Sequence, residues 1–470
     1  MTGEAIEFGT DGWRATLDVF TTERVRVVGQ AVATYLREEG RAGATLAVGY
    51  DARETSRGFA EELARVLAAN GFDVLVPERD CPTPVVAWTV RDRDLAGALM
   101  VTASHNPPEY NGVKFIPEGG APATADVTDA VESRLAEPDP LPDEEWGTVT
   151  ETDLVEAYAE HVLDAVDADL SGLSVVYDAM HGSGRGVTDA LLERAGADIT
   201  RLRCERDPEF GGGSPEPSAE RLGELAERVA DSDADLGVAN DGDADRVTVV
   251  TPERGVLDPN LFFAATYDAL LSGDVAFDAE SAPSTDDVVR TVSTSSIVDR
   301  VADAHDAAVH ETAVGFKWVA GAMADHDALM GGEESGGFGL TAHLRNKDGV
   351  AIALLSAAAE AETAYDDRVD ALLERHGDIV QDRVSVDCPD DRKEPVLADL
   401  EDALPDTVAG ADVESVSTVD GFKVFLADGT WLLLRPSGTE PKLRVYAEAG
   451  SQERADELLA AGRELVEPLV

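Results

Sequence analysis

The stretch Val101-Thr102-Ala103-Ser104-His105-Asn106-Pro107-Pro108-Glu109-Tyr110-Asn111-Gly112-Val113-Lys114-Phe115 decides how this chain is read. An apolar run, Ala96 to Val101, reads as a buried strand that enters a polar turn. The turn delivers Ser104 with His105 beside it, and Lys114 follows ten positions later. The expected geometry exposes one hydroxyl at the end of a rigid strand, where it can carry a covalent group. An ordinary serine in a strand-to-helix turn is the plainer alternative. A serine hydrolase is disfavoured, because the G-x-S-x-G elbow is missing and adjacent side chains usually point apart, which leaves His105 badly placed as a base.

Outward from this segment, composition sets limits. A chain of 470 residues with 43% hydrophobic content exceeds one compact core, so roughly two to four domains are expected. Asp and Glu number 94 against 38 Lys and Arg, a net charge of -56. That field repels nucleic acid and anionic membranes, and neither partner is expected. The acids are spread along the whole chain, which favours a folded protein with a solvated acidic surface over a disordered one. The composition resembles that of cytoplasmic proteins from salt-accumulating halophiles, where concentrated cations screen self-repulsion. With only six lysines, Lys114, Lys317, Lys347, Lys393, Lys423 and Lys442, each one merits inspection. Cys81, Cys204 and Cys388 are far apart and form no metal-ligand or disulfide pattern, which suits a reducing compartment. Met1 to Glu7 shows no signal-peptide pattern and no apolar run reaches spanning length, so a cytoplasmic location is expected.

Helical patterns alternate with short strands. Val25, Val28, Val32 and Tyr35 have helical spacing behind the candidate caps Thr21 and Thr22. Thr45–Tyr50, Leu173–Tyr177 and Leu236–Ala239 read as strands that feed polar or glycine-rich loops, the signature of α/β domains with function at strand ends. Glu137 to Glu145 reads as a linker, Ala351 to His376 as one long helix, and the chain from Gln381 as strands and turns with a final helix capped by Ser451.

Four further segments carry chemistry. In Asp241-Gly242-Asp243-Ala244-Asp245-Arg246, three alternate carboxylates can converge on a hard cation. An EF-hand is excluded, since its glycine and glutamate positions hold Arg246 and Pro252. Three carboxylates leave excess negative charge, so a further anion there needs cations such as Arg246 and Lys114. Arg435-Pro436-Ser437-Gly438-Thr439-Glu440-Pro441 is either a phosphate cradle or a plain hairpin turn. Gly331-Gly332-Glu333-Glu334-Ser335-Gly336-Gly337 is either a sugar-hydroxyl acceptor or an acidic loop. Phe8 to Arg14 is turn-rich and says little alone.

Together, in order and spacing, these five segments resemble the α-D-phosphohexomutase superfamily, which holds phosphoglucomutase, phosphomannomutase and phosphoglucosamine mutase. The resemblance spans the whole chain and implies three similar α/β domains and a C-terminal TATA-binding-protein-like α+β domain around a central cleft. The expected divisions are residues 1–143, 144–253, 254–374 and 375–470. By similarity Ser104 is the phosphorylated serine, and Asp241, Asp243 and Asp245 match Mg²⁺ ligands, joined by a phosphoserine oxygen at Ser104. Arg14, His105, Lys114 and Arg246 match the residues around the phosphoserine. Glu333 and Ser335 match the sugar loop, and Arg435, Ser437, Gly438 and Thr439 match the grip on the non-reacting phosphate. The implied activity interconverts hexose 1-phosphate and hexose 6-phosphate on a phosphosugar substrate, through a hexose 1,6-bisphosphate that also serves as activator.

Parts of the family place a histidine where this chain has Gly336-Gly337. Thr312 to Trp318 resembles the Gly-aromatic-Lys segment of phosphoglucomutases, which makes Lys317 the candidate base. The Glu-Glu-Ser order at 333–335 also resembles phosphoglucomutases, whereas the glucosamine branch typically has glutamine at the middle position. Glucose is therefore the expected sugar, with mannose, dual glucose/mannose and glucosamine specificity as successive alternatives. A non-catalytic acidic cation binder is the rival outside enzymes.

Overall fold

The computed structural model describes residues 6–9, 12–278, 282–438 and 440–470, which leaves Thr10, Asp11 and Thr439 outside. Four sheets follow one another along the chain. The first has the order Trp13–Thr16, Tyr110–Pro117, Gly97–Val101, Thr45–Tyr50, Asp73–Pro77, Val149–Thr152. Its last four strands run parallel, and Tyr110–Pro117 folds back antiparallel on Gly97–Val101. The second sheet repeats this plan. Ser174–Asp178 lies parallel between Asp198–Leu202 and Leu236–Asn240, and Val247–Thr251 returns antiparallel on Leu236–Asn240. The third places Val288–Thr291 parallel between Val309–Thr312 and Met330–Gly332, and Phe338–Leu340 returns on Met330–Gly332. The fourth is a six-stranded antiparallel sheet, Val380–Asp387 to Thr407–Val408, on which the helix Gln452–Val466 packs.

Four of the five functional segments thus sit in the same place, the tip of a hairpin at the carboxyl end of a buried strand, while the first ends in the edge strand Trp13–Thr16. The serine segment joins strand to strand, not strand to helix. Tyr110–Pro117 is nearly all buried, and its apolar run belongs to the sheet.

Two boundaries differ from expectation. Val149–Thr152 pairs with Asp73–Pro77, so the first sheet runs past the break placed after residue 143. Gly255–Val256 pairs with Val247–Thr251, so the second sheet runs past residue 253. The long helix expected at 351–376 is two helices, Gly349–Glu362 and Tyr365–His376. Thr363 is extended, and the Glu360 carboxylate accepts from Tyr365 N at 2.7 Å to start the second one. The first of the pair is buried from Gly349 to Glu360, all round, as a helix threaded through a core must be. That core is shared, with Tyr158, Val175 and Val238 of the second sheet region packing in one cluster with Phe263, Val288 and Phe338 of the third. The first domain adds Val85 and Trp88 to this cluster and has a further core of its own, as the fourth has. Among the described residues no helix is long and apolar enough to cross a membrane.

Candidate active site

The serine hairpin is built by one buried arginine. Arg53 Nη1 donates to the carbonyls of Pro107 (2.6 Å) and Tyr110 (3.1 Å), and Nη2 to those of Ser104 (2.8 Å) and Asn106 (2.6 Å). Its Nε is held by Asp51 Oδ2 at 3.0 Å. Asp51 also accepts from Thr102 Oγ1 at 2.7 Å, and Thr102 Oγ1 accepts from Ser104 N at 2.8 Å. These bonds hold Ser104 at φ 52, a left-handed backbone that costs an L-residue roughly 1–2 kcal/mol. Asp51-Ala52-Arg53 is legible as the loop after the strand Thr45–Tyr50, although sequence alone assigns neither charge a role. Their signal was a charged pair immediately after a fully apolar strand.

The left-handed turn changes two expectations. His105 does not point away, for its Nδ1 lies 3.3 Å from Ser104 Oγ. Nor is the hydroxyl exposed. Ser104 is fully buried, and its Oγ donates to Asp241 Oδ2 at 2.7 Å. The aspartate hairpin lies directly over it, and a Cβ on Gly242 would stand 2.5 Å from the Ser104 carbonyl oxygen. Only glycine admits that approach.

Asp241, Asp243 and Asp245 are buried, with one oxygen from each lying within 4.8 Å of the others. Lys114 Nζ reaches Asp243 Oδ2 (3.0 Å) and Asp245 Oδ2 (2.8 Å), and Lys347 Nζ reaches Asp245 Oδ2 (2.8 Å). Thr83 Oγ1 donates to Asp243 Oδ2 at 2.6 Å. Asp243 Oδ1 and Asp245 Oδ1 are buried without a hydrogen-bond partner. Two orphaned carboxylate oxygens in such a cluster are costly alone and suit a hard, oxygen-seeking divalent cation such as Mg²⁺. Burial and its two neighbours push the Asp241 carboxyl well up. Burial pushes Asp243 in the same direction, but Lys114, Thr83 and Lys347 outweigh it and its value falls. The His105 imidazolium is strongly disfavoured by Arg246, then by burial, then by Arg14, so the ring is neutral. Thr83 and Lys347 were not foreseen as site residues, although Lys347 belongs to the short roster of lysines.

A cleft of ≈ 1360 Å³ opens above this cluster, and all four domains line it. Arg14, His105 and Arg246 line it, with Arg14 Nη1 donating to Asn106 Oδ1 at 3.3 Å. Lys317, Glu333, Glu334, Ser335 and Lys347 come from the third domain. Arg435 and Gly438 come from the fourth. Ser437 is buried behind them, its carbonyl held by Lys393 Nζ at 2.6 Å. Thr439, expected in the same loop, lies outside the described residues. Burial first, then Glu334, raises the Glu333 carboxyl to about 7 against the opposing pull of Lys347. Lys317 Nζ sits 5.5 Å from the Trp318 ring centre.

Three mixed α/β sheets and an antiparallel one, each presenting a hairpin tip to one cleft, define the four-domain phosphohexomutase architecture. The chain belongs to the phosphoglucomutase/phosphomannomutase family. Family profiles match its alpha/beta/alpha domain I at residues 5–141, domain II at 156–255, domain III at 267–376 and the C-terminal domain at 384–465. A probable phosphoglucosamine mutase of Methanopyrus kandleri is 33% identical, covering 96% of this chain and 95% of its own. A phosphoglucomutase/phosphomannomutase of Thermococcus kodakarensis is 30% identical over 98% of both chains. The crystal structure of a phosphoglucomutase/phosphomannomutase family protein from Burkholderia thailandensis superposes with a TM-score of 0.84 over 100% of this chain and 98% of that one. At 22% identity this likeness speaks for the fold alone.

Proposed function

We propose that the protein interconverts hexose 1-phosphate and hexose 6-phosphate by way of a phosphoserine at Ser104 and a hexose 1,6-bisphosphate. The observation that carries this reading is the 2.7 Å bond between Ser104 Oγ and Asp241 in a buried three-carboxylate cluster, whose neighbours His105, Arg246 and Lys347 line the same cleft as Arg435. Asp241, Asp243, Asp245 and a phosphoserine oxygen would hold Mg²⁺, which supplies neutralisation of charge on the transferring phosphoryl group.

The chain's own groups do the rest. The phosphorus–oxygen bond to Ser104 breaks as a sugar hydroxyl oxygen bonds to phosphorus, and the hydroxyl proton passes to a base. In the second half the sugar has turned end for end, and its other phosphoryl group returns to Ser104. Arg14, Arg246, Lys114 and Lys347 supply fixed positive charge where negative charge spreads over the moving group. Neutral His105 can hydrogen-bond at the serine oxygen. Arg435, with the Ser437–Gly438 turn, binds whichever phosphate is not reacting. Glu333 and Ser335 accept and donate to sugar hydroxyls, and Lys317 lines the same wall as the base for the hydroxyl proton.

Glucose is the proposed sugar, on the Glu333-Glu334-Ser335 order and the Lys317 segment. Glu334 lines the cleft too, but its carboxylate already accepts from two hydroxyls, Ser293 Oγ (2.7 Å) and Thr291 Oγ1 (3.2 Å), so Glu333 and Ser335 are the proposed reading pair. Glucose and mannose differ at one hydroxyl, whose contact is worth roughly 1–3 kcal/mol, so a dual enzyme is the second reading. Comparing kcat/KM for glucose, mannose and glucosamine 1-phosphates with Mg²⁺ tests the choice. A mannose or glucosamine preference overturns glucose, and stoichiometric release of inorganic phosphate overturns the mutase.

A further inference from the structure

Asp420 occupies an unusual position that the mutase chemistry does not by itself require. It sits in the turn between the strands Ala411–Ser417 and Phe422–Leu426 of the fourth domain. Its Oδ2 accepts from Arg435 Nε at 3.0 Å and lies 2.9 Å from Arg435 Nη2. The same oxygen accepts from the backbone N–H of Val314, in the third domain, at 3.1 Å. The next peptide N–H, that of Gly315, donates to Glu333 Oε1 at 2.9 Å. Two successive N–H groups of one short segment are thus spent on two carboxylates from different domains. One carboxylate orders the phosphate-gripping arginine, and the other reads the sugar. Lys317 is the second residue of the helix that follows, Phe316–His326.

The turn is fitted to this task. A Cβ on Gly421, at φ 86, would lie 2.3 Å from the Leu434 carbonyl oxygen and 2.8 Å from Arg435 Cβ. Glycine lets the Asp420 turn close directly onto the arginine's backbone. Burial strengthens each bond in the line, because Arg435 and Glu333 are nearly enclosed and water competes poorly for their partners. A shift of Arg435 toward an incoming phosphate must be transmitted to Asp420 Oδ2, and a shift of that oxygen must be felt by the Val314–Gly315 peptides.

We propose that Asp420 is a positioning residue that couples phosphate occupancy at Arg435 to the setting of the Glu333 carboxylate through the Val314–Gly315 segment. This inference rests on the mutase reading above. Its consequence is that a sugar lacking the correct phosphate is poorly read at its hydroxyls, although no group of Asp420 touches it.

A double-mutant cycle on the full chain tests this, with glucose 1-phosphate as substrate and equal thermal midpoints as the check on folding. Asp420→Ala lowers kcat/KM about 10- to 100-fold, the scale of an ångström-level misplacement. In a Glu333→Gln background the kcat share of this loss shrinks to less than about threefold, because that share runs through Glu333, while the KM share from the charge lost beside Arg435 persists. Asp420→Asn retains an acceptor oxygen for Val314, so its kcat stays within about threefold of wild type while KM rises through the lost charge beside Arg435. Equal fold losses in the two backgrounds, equal kcat losses for Ala and Asn, or no loss for Ala each overturn the proposal. Asp420→Ser, which also withdraws the bridging oxygen, takes alanine's place in the cycle if the alanine variant does not fold. Wild-type turnover separates the two levels. If it is absent the mutase reading falls, and if it is present with independent effects of Asp420 and Glu333 only the coupling falls.

Discussion

Arg53 and Ser104 are joined by a 2.8 Å bond from guanidinium to peptide carbonyl, and the same guanidinium spans three more carbonyls of the serine turn. The left-handed backbone at Ser104 is therefore imposed from outside the turn. Arg53→Lys keeps the charge but loses the planar fork, and kcat is expected to fall about 100-fold with little change in KM. Arg53→Ala strands the buried Asp51 and is expected to cost about 3–5 kcal/mol in urea unfolding. A Lys variant with wild-type kcat would show that the turn holds itself.

Ser104→Ala is expected to lower mutase kcat by about 10⁴-fold or more, even with added bisphosphate. Intact mass of the wild-type protein should show a phosphorylated fraction that the variant lacks. Full activity in the variant would remove the covalent route.

Lys347→Met removes one of two ammonium groups facing Asp245. Divalent-cation affinity, measured by calorimetry, is expected to rise, because the carboxylates lose a competitor. Turnover is expected to fall about 10²- to 10³-fold, because a fixed positive charge is lost where the phosphoryl group passes. Parallel loss of both would assign Lys347 to folding alone.

Glu333 supplies a pH signature in stability. Its carboxyl is raised to about 7 in the folded chain from an ordinary 4.5, chiefly by burial. A raised value means the protonated form is favoured on folding, so this contribution is complete below about 4.5 and is lost as pH rises through about 7. Relative to Glu333→Gln, the wild type is expected to lose up to about 3 kcal/mol across that window, since each pH step of one between the two values is worth about 1.4 kcal/mol. Denaturant melts of both at several pH values check this, and a flat difference would place the carboxyl in water.

With a net charge of -56, self-repulsion in dilute buffer is large. The thermal midpoint is expected to rise steeply between about 0.1 M and about 3 M KCl, as the screening length falls below about 3 Å. A salt-independent midpoint would remove the halophile resemblance.

Legibility in the sequence followed a physical divide. Ser104, Asp241, Asp243 and Asp245 were readable because each follows an apolar strand, where a polar group has a fixed exit. Thr83, Lys347 and Asp420 were not, because their partners are distant in sequence and only the folded chain joins them, as Thr83 joins Asp243 across 160 residues. The strand Thr45–Tyr50 matched residue for residue, and Ser451 accepts from Arg454 N as the last helix's cap. The helix Asp390–Ala403 went unseen, because Pro395 and its many acids mask the spacing of its buried residues Val396 and Leu400. The hairpin return after the serine turn was missed because strand Tyr110–Pro117 lacks the clean alternation of a half-solvated strand, being covered on both faces, whereas the return after Arg435 was legible in the alternation of Leu443, Val445 and Ala447.

The continuous apolar core beneath the second and third domains has a mechanical meaning. Shearing one against the other would open the packing around Phe263 and Phe338, so the aspartate loop and the sugar loop ride on one rigid chassis. The fourth domain meets that chassis through a small apolar patch of Val292 against Trp431, Leu433 and Tyr446, and otherwise through polar ties such as Lys423 to Glu311 and Glu448 to Ser296. Polar ties can be exchanged for water at little net cost, whereas a core cannot be split. On the proposed mechanism, the jaw that lets a bisphosphate turn end for end is the one bearing Arg435, and the gauge against which it closes is the span between Glu333 and the aspartates.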